Sequence, residues 1–359
     1  MIIGILKEKN YQRVAMVPAS MKKIEKLGCT AIVESGSGVN AGFTDEDFKA
    51  AGYQVLDRNN VLKQADILVS IGPLDSEELN QGKKTALVIS MYAPYQDDSI
   101  IDKLNQLPQA FVSMDMIPRT TLAQSMDVLS SMASLAGYKG VIKAADHYSS
   151  MYPMMTTAAG TIPPTKLMVL GAGVAGLQAI ATAKRLGAVV EAFDTRAAAK
   201  EEVKSLGASF VEVEGATDDR GAGGYAVQQS EEYLQKQRTL VQERALKSNI
   251  IIATAQVRGK KAPLLITEET IKAMKPGSVI VDLAASTGGN CAFTENKKIV
   301  KVNGVTIIGD SDLADELSQV SSTLFSNNIL NFLQICVKDG VLNLDENNEI
   351  IKSSVISKH

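Results

Sequence analysis

The chain has 359 residues, 45% of them hydrophobic and 21% charged, with a formal net charge of −3 at pH 7. Such a composition belongs to a folded protein long enough for two domains and excludes disordered and fibrous classes. With no basic excess, nucleic acid is not expected as a partner, because displacing its counterions needs clustered Lys and Arg.

The N-terminal run Ile2 to Leu6 meets charges at once, so it reads as a first strand and not as a secretory signal. A helix near Ser20 to Leu27 follows. Strands are then predicted at Ala31 to Glu34, Ile67 to Ile71, Ala86 to Ser90 and Ala110 to Met114, an alternation expected of βαβ units on a parallel sheet. The glycine-rich stretch Gly36 to Gly42 has the wrong spacing for a phosphate turn, and Thr44 to Asp47 behind it reads as a loop running into a helix cap. From Ala123 to about Ser149 there are few breakers and many small residues, among them Ala133, Ala136, Gly137, Gly140, Ala144 and Ala145. This predicts a long connecting helix that another helix can approach closely.

Thr161-Ile162-Pro163-Pro164 punctuates the chain, since paired prolines resist both helix and central strand. Beyond it come a strand at Lys166 to Leu170, a helix at Ala175 to Leu186 closed by Gly187, and a strand at Val189 to Phe193. Further strands are expected at Ser209 to Val213, Ile250 to Ala253, Ser278 to Leu283 and Val305 to Ile308. Leu324, Ile329, Leu330, Leu333 and Val337 recur at helical spacing and predict a second long helix that crosses back to the first domain. The expected fold is therefore α/β, with two Rossmann-like domains on parallel sheets joined by two long helices. The N-terminal domain is discontinuous, residues 1–128 with 318–359, and residues 129–317 form the nucleotide-binding domain with its linking helix. No window of 18 uninterrupted apolar residues occurs, so no segment is expected to insert into a membrane.

Gly171, Gly173 and Gly176 form a GxGxxG turn after a predicted strand and before a predicted helix, the context that gives this weak pattern meaning. The first glycine permits the tight turn, the second lets backbone approach a pyrophosphate, and the third lets helix and strand pack closely. Asp194 ends the next strand, where a carboxylate accepts hydrogen bonds from an adenosine ribose and repels a 2′-phosphate. NAD is thereby favoured over NADP, with Arg196 nearby as a counterweight.

Metal and hydrolytic chemistry find no support. The only histidines are His147 and His359, Cys29, Cys291 and Cys336 are far apart with no CxxC spacing, and GxSxG and P-loop patterns are missing. His147 reads as a surface or packed residue, and the cysteines as reduced thiols. The polar cluster Arg119, Gln124, Ser125, Asp127 and Ser130 follows a strand end. It reads either as an exposed Arg119–Asp127 ion pair with helix-capping neighbours or as the donors and acceptors that fix a nicotinamide amide for hydride transfer. Gly221 to Ala226 reads as a lid over bound nucleotide or as an ordinary surface loop.

Several longer runs carry a resemblance across nearly the whole chain. They are Pro118-Arg119 with Ala123-Gln124-Ser125-Met126-Asp127-Val128-Leu129-Ser130-Ser131, Ala136-Gly137-Tyr138, and Thr157-Ala158-Ala159-Gly160-Thr161-Ile162-Pro163-Pro164. The Gly171 to Gly176 turn, Ala222-Gly223-Gly224-Tyr225-Ala226 and Gly288-Gly289-Asn290-Cys291 complete the set. Together they resemble the NAD(H)-binding component of the proton-translocating nicotinamide nucleotide transhydrogenases. The resemblance implies that Arg119, Gln124, Asp127 and Ser130 hold the nicotinamide end of NAD(H). Val174, Asp194, Thr195 and Arg196 then meet the adenosine end, while Gly224 and Tyr225 belong to a mobile loop. It also implies direct hydride transfer from NADH to NADP+ held on a separate NADP(H)-binding subunit, coupled to proton movement through a membrane-domain subunit. The chain would be a homodimer, cytoplasmic and peripheral at the inner membrane through those partners. Transfer between two nicotinamides leaves no substrate oxygen to protonate, in keeping with the lack of a catalytic His or Lys.

The chain departs from that family at Leu122, where a second arginine is usual, and at Gln256 to Lys261, which replaces a more apolar, proline-containing stretch. It also stops at His359 without a membrane segment or a second nucleotide-binding domain, as expected of the separate soluble subunit of a three-subunit form. Two other readings compete. One is an amino-acid oxidoreductase like alanine dehydrogenase, which shares the Arg13-Val14-Ala15 region. However, Val69 to Pro73 and Ser90 to Ala93 stand where that family carries its lysine and histidine. The other is a non-catalytic NAD-binding module.

Overall fold

The structure is a computed structural model that describes residues 1–213 and 230–357. Gly224, Tyr225 and the rest of the expected lid, together with His359, lie outside the described residues. The chain divides into two compact units, Met1–Met132 with Ala314–His359 and Ala133–Leu313.

In the first unit, strands β1 (Ile2–Ile5), β2 (Thr30–Glu34), β3 (Gln54–Leu56), β4 (Ile67–Val69), β5 (Leu87–Ser90) and β6 (Ala110–Ser113) pair in parallel. Their order across the sheet is β6-β5-β4-β1-β2-β3. The strand Val355–Ser357 extends the sheet antiparallel beside β6. The near-continuous apolar character of β1, β4 and β5 reflects burial on both faces, as parallel sheets require. Ile3, Ile5, Ile67, Val69, Leu87 and Ile89 join one core, and Ile32, Leu68, Val88 and Phe111 the other. Phe325, Ile329, Phe332 and Leu333 of the helix Ser318–Cys336 belong to the first of these cores. That helix lies wholly within this unit.

The second unit opens with a two-stranded hairpin, β7 (Met155–Thr157) and β8 (Gly160–Ile162), so Thr161 and Ile162 pair across it and do not break the chain. Its main sheet comprises β9 (Lys166–Leu170), β10 (Val189–Phe193), β11 (Ser209–Phe210), β12 (Ile250–Ala253), β13 (Val279–Asp282), β14 (Lys298–Val302) and β15 (Val305–Gly309). The order is β11-β10-β9-β12-β13-β15-β14, all parallel except β14 against β15. Alternate residues again separate two cores. Leu167, Val169, Val190, Ile250, Ile252 and Val281 face one way, and Met168, Leu170, Ile251, Ala253 and Ile280 the other. Strand order 3-2-1-4-5 on both sheets is the Rossmann arrangement. Its switch point lies between β1 and β4 in the first unit and between β9 and β12 in the second.

The linking helix is shorter than expected. It runs from Val128 to His147, while Thr121–Met126 is a 3-10 helix, and the extended backbone of Asp127 (φ −75°, ψ 94°) separates the two. Within the second unit the expected close approach occurs at Gly137, where a Cβ would stand 2.1 Å from the Ala175 carbonyl oxygen.

Candidate functional site

The glycine turn occupies the switch point of the second sheet. Gly171 has φ +93° and donates its N–H to the Phe193 carbonyl at 2.8 Å, a backbone conformation that a side chain would strain. A Cβ on Gly176 would lie 1.8 Å from the Gly171 oxygen, so the third glycine is imposed by contact between helix and strand. A Cβ on Gly173 would meet nothing within 4 Å, leaving the space before it open. The helix Val174–Arg185 starts there with Gly173 as its N-cap and no capping side chain. Its first-turn N–H groups and the positive end of its dipole are therefore available to an anion. Val174 is exposed on this first turn. At the other end, Gly187 (φ +92°) closes the helix through its N–H to the Lys184 carbonyl.

Asp194 lies just beyond β10, on the same side of the sheet as the turn. Its Oδ2 accepts the Ala172 N–H at 2.7 Å, and its Oδ1 accepts the Arg196 N–H at 2.8 Å. The Arg196 guanidinium also grips both carboxylate oxygens, and this hydrogen bonding raises the arginine pKa above its ordinary value. Thr195 between them is exposed.

The far wall of the turn was not singled out from the sequence. Thr254, after β12, donates its hydroxyl to the Gly171 carbonyl at 2.9 Å. Asn290, fully buried, clasps the next residue from both sides. Its Oδ1 accepts the Ala255 N–H at 2.9 Å, and its Nδ2 donates to the Ala255 and Pro263 carbonyls at 2.8 and 2.9 Å. Asp282, at the end of β13, holds Asn290 in turn by accepting its N–H at 2.7 Å, together with those of Cys291 and Ala284 and the Thr294 hydroxyl. Burial pushes the Asp282 carboxyl up from its ordinary value, and these four donors oppose the shift. The available signal was the run Gly288 to Cys291, legible as a motif but not as a clasp.

The polar cluster of the first unit follows β6. Asp127 is the N-cap of the helix Val128–His147: Oδ1 accepts the Ser130 N–H at 2.9 Å and Oδ2 accepts the Ser130 hydroxyl at 2.6 Å. No Arg119–Asp127 ion pair exists. Arg119 and Gln124 are exposed and make no side-chain hydrogen bond among the described residues. Leu122 is 84% exposed.

The switch point of the first unit carries no glycine turn. Lys7, Glu8 and Lys9 follow β1, and the Glu8 carboxylate accepts the Ile71 and Gly72 N–H groups at 2.6 and 3.1 Å. Burial pushes the Glu8 pKa up to about 7, against those two donors and the charges of Arg13 and Arg58. At the ends of β4 and β5 stand Ser70 and Ser90, both buried. Ser70 donates its hydroxyl to the Gly72 carbonyl and Ser90 to the Ile71 carbonyl. Neither position holds a proton-transfer group of useful pKa.

Sheet order, glycine turn and uncapped helix together define an α/β protein with a Rossmann dinucleotide-binding unit. Family models for the alanine dehydrogenase/PNT N-terminal and C-terminal domains match residues 4–136 and 140–359, and the chain belongs to that family. It is 43% identical to the first of the separately encoded pieces of the NAD(P) transhydrogenase subunit alpha of Rickettsia prowazekii, over 100% of this chain and 95% of that one. To the protein of the same description in Rhodospirillum rubrum it is 44% identical, over 93% and 89%. The solved transhydrogenase of Sinorhizobium meliloti matches with a TM-score of 0.92 and 41% identity, covering 100% of this chain and 99% of that one. The alanine dehydrogenase of Mycolicibacterium smegmatis is more distant, 26% identical over 80% and 74%. Within the family the chain stands with the transhydrogenase alpha subunits.

Proposed function

We propose that this chain binds NAD(H) and passes hydride from NADH to NADP+ held on a partner NADP(H)-binding subunit, a transfer coupled to proton translocation by a membrane-domain subunit. The observation that carries the reading is the turn at Gly171, Gly173 and Gly176, which opens an uncapped 12-residue helix at the switch point of the second sheet. In this reading the pyrophosphate takes the N–H groups of that helix, with the adenosine ribose at Asp194 and Val174, Thr195 and Arg196 beside it. Arg119, Gln124, Asp127 and Ser130 meet the nicotinamide end, and Gly224 and Tyr225 close over the nucleotide. The domain division 1–128 with 318–359 and 129–317 is part of the same proposal. So are a homodimer and a peripheral place at the inner membrane through the partners. Among the described residues no helix is long and apolar enough to cross a membrane.

The chemistry asked of the chain is orientation. Hydride passes between two nicotinamides with no proton to add or remove, so donors and acceptors that fix the carboxamide contribute more than an acid or base. Ser70 and Ser90, spent on backbone carbonyls, argue against the acid–base work of an amino-acid dehydrogenase. The test is transfer in the complex reconstituted with the partner subunits. Asp127→Asn keeps an acceptor for the helix cap, and Arg119→Ala removes an exposed side chain, so both should fold. Each is expected to slow transfer by about tenfold or more; unchanged rates would remove these residues from the site.

A further inference from the structure

We propose that Asn328 and Asn331 are positioning residues for hydride transfer, acting as a paired strut that fixes the peptide between Gln124 and Asp127. The proposal rests on the reading that this loop meets the nicotinamide. Asn328 and Asn331 are three residues apart on the helix Ser318–Cys336 and so share one face. Each donates its Nδ2 to the Ser125 carbonyl oxygen at 2.9 Å, so both lone pairs of that oxygen are engaged. Ala123 and Met126, on either side of Ser125, are buried in the core to which Phe325, Ile329 and Phe332 contribute. The loop is thus pegged by two apolar side chains and oriented by two amides, while Gln124 and Ser125 remain exposed.

Asn328 is 5% exposed, and its Oδ1 has no hydrogen-bond partner. An unpaired buried acceptor opposes folding, and flipping the amide would set oxygen against the Ser125 oxygen. The orientation of Asn328 is thereby fixed by the loop it holds. The same helix secures a second segment of the unit. Its Ser322 hydroxyl accepts the Val14 N–H at 2.9 Å, and its Ser326 hydroxyl accepts the Val17 N–H at 3.4 Å. The helix is tied in place independently of the loop, as a strut must be. Without the two amides the 125–126 peptide plane is free to turn, which displaces Gln124 and Asp127 while both apolar pegs stay seated.

The test uses Asn331→Ala and the isosteric Asn331→Asp, both at an exposed position, with Asn328→Ala as the buried counterpart. ADP-ribose, which lacks the nicotinamide, separates a positioning effect from a structural one. With Asn331→Ala and Asn331→Asp we expect ADP-ribose affinity and melting temperature to match the parent chain. Single-turnover hydride transfer in the reconstituted complex should fall by about tenfold. Pairing Asn328→Ala with Asn331→Ala should cost more than either alone. If Arg119→Ala and Asp127→Asn slow transfer while the Asn331 variants do not, the strut is wrong and the functional reading stands. If none of the four slows transfer, the nicotinamide reading of the loop falls and takes the strut with it. Equal losses of ADP-ribose and NADH affinity would also overturn the proposal.

Discussion

The guanidinium of Arg196 grips the carboxylate of Asp194, Nε to Oδ1 and Nη2 to Oδ2 both at 3.1 Å, and the same Nη2 reaches the Ala172 carbonyl at 3.1 Å. The acid expected to read an adenosine ribose is thus already paired, and the diol of a bound nucleotide shares or displaces that pairing.

The pairing gives opposite expectations for the two residues. Asp194→Ala removes charged acceptors and should weaken NADH binding by about tenfold or more. Arg196→Ala frees the carboxylate and removes the cation that would greet a 2′-phosphate, so the ratio of NADPH to NADH dissociation constants should rise. Titrating both nucleotides against the two variants checks this. An unaltered NADH affinity in Asp194→Ala would remove the ribose contact.

Two glycines of one turn should fail differently. Gly173→Ala places its methyl in open space at an ordinary backbone angle, so melting should be unchanged while NADH affinity drops by about tenfold or more, since the methyl stands where the pyrophosphate must come. Gly176→Ala drives a methyl to 1.8 Å from the Gly171 oxygen and should cost about 3 kcal/mol of stability or more. Calorimetric melting beside nucleotide titration distinguishes them, and equal melting losses would refute the assignment.

Glu8 should make the first unit sensitive to pH. Its pKa is raised from 4.5 to about 7, so between those values the folded state holds a proton that the unfolded state releases. Stability from this group is therefore present below about pH 4.5 and is lost as the pH rises through about 7. Glu8→Gln, which does not ionise, should gain on the parent chain across that window by at most roughly 3 kcal/mol. Denaturant melts at pH 5 and pH 8 measure the difference, and a gap independent of pH would contradict the burial argument.

Burial on two sides made much of the fold legible. Lys166–Leu170, Val189–Phe193 and Ile250–Ala253 are central strands whose apolar runs end where the strands end. Exposed edge strands leave no such run. Gln54–Leu56 and Lys298–Val302 contain no fully buried residue, and the β7–β8 hairpin is exposed throughout. The break at Asp127 was hidden because good helix formers flank it, and only the Ser130 bonds reveal the cap. At the site, the glycine turn and Asp194 were readable because local geometry dictates those residue types. The Asn290 clasp and the Asn328–Asn331 pair were not, because their partners Ala255 and Ser125 are backbone groups that leave no mark in the sequence.

The central claim is tested most directly by single-turnover hydride transfer from bound NADH to an NADP+ analogue, with and without the NADP-binding domain of a related transhydrogenase, and with alanine plus NAD+ as a parallel substrate pair. Transfer that appears only with the added domain, and no turnover of alanine, is the predicted result. Turnover of alanine, or NADH bound with no transfer in the presence of the domain, would contradict the account.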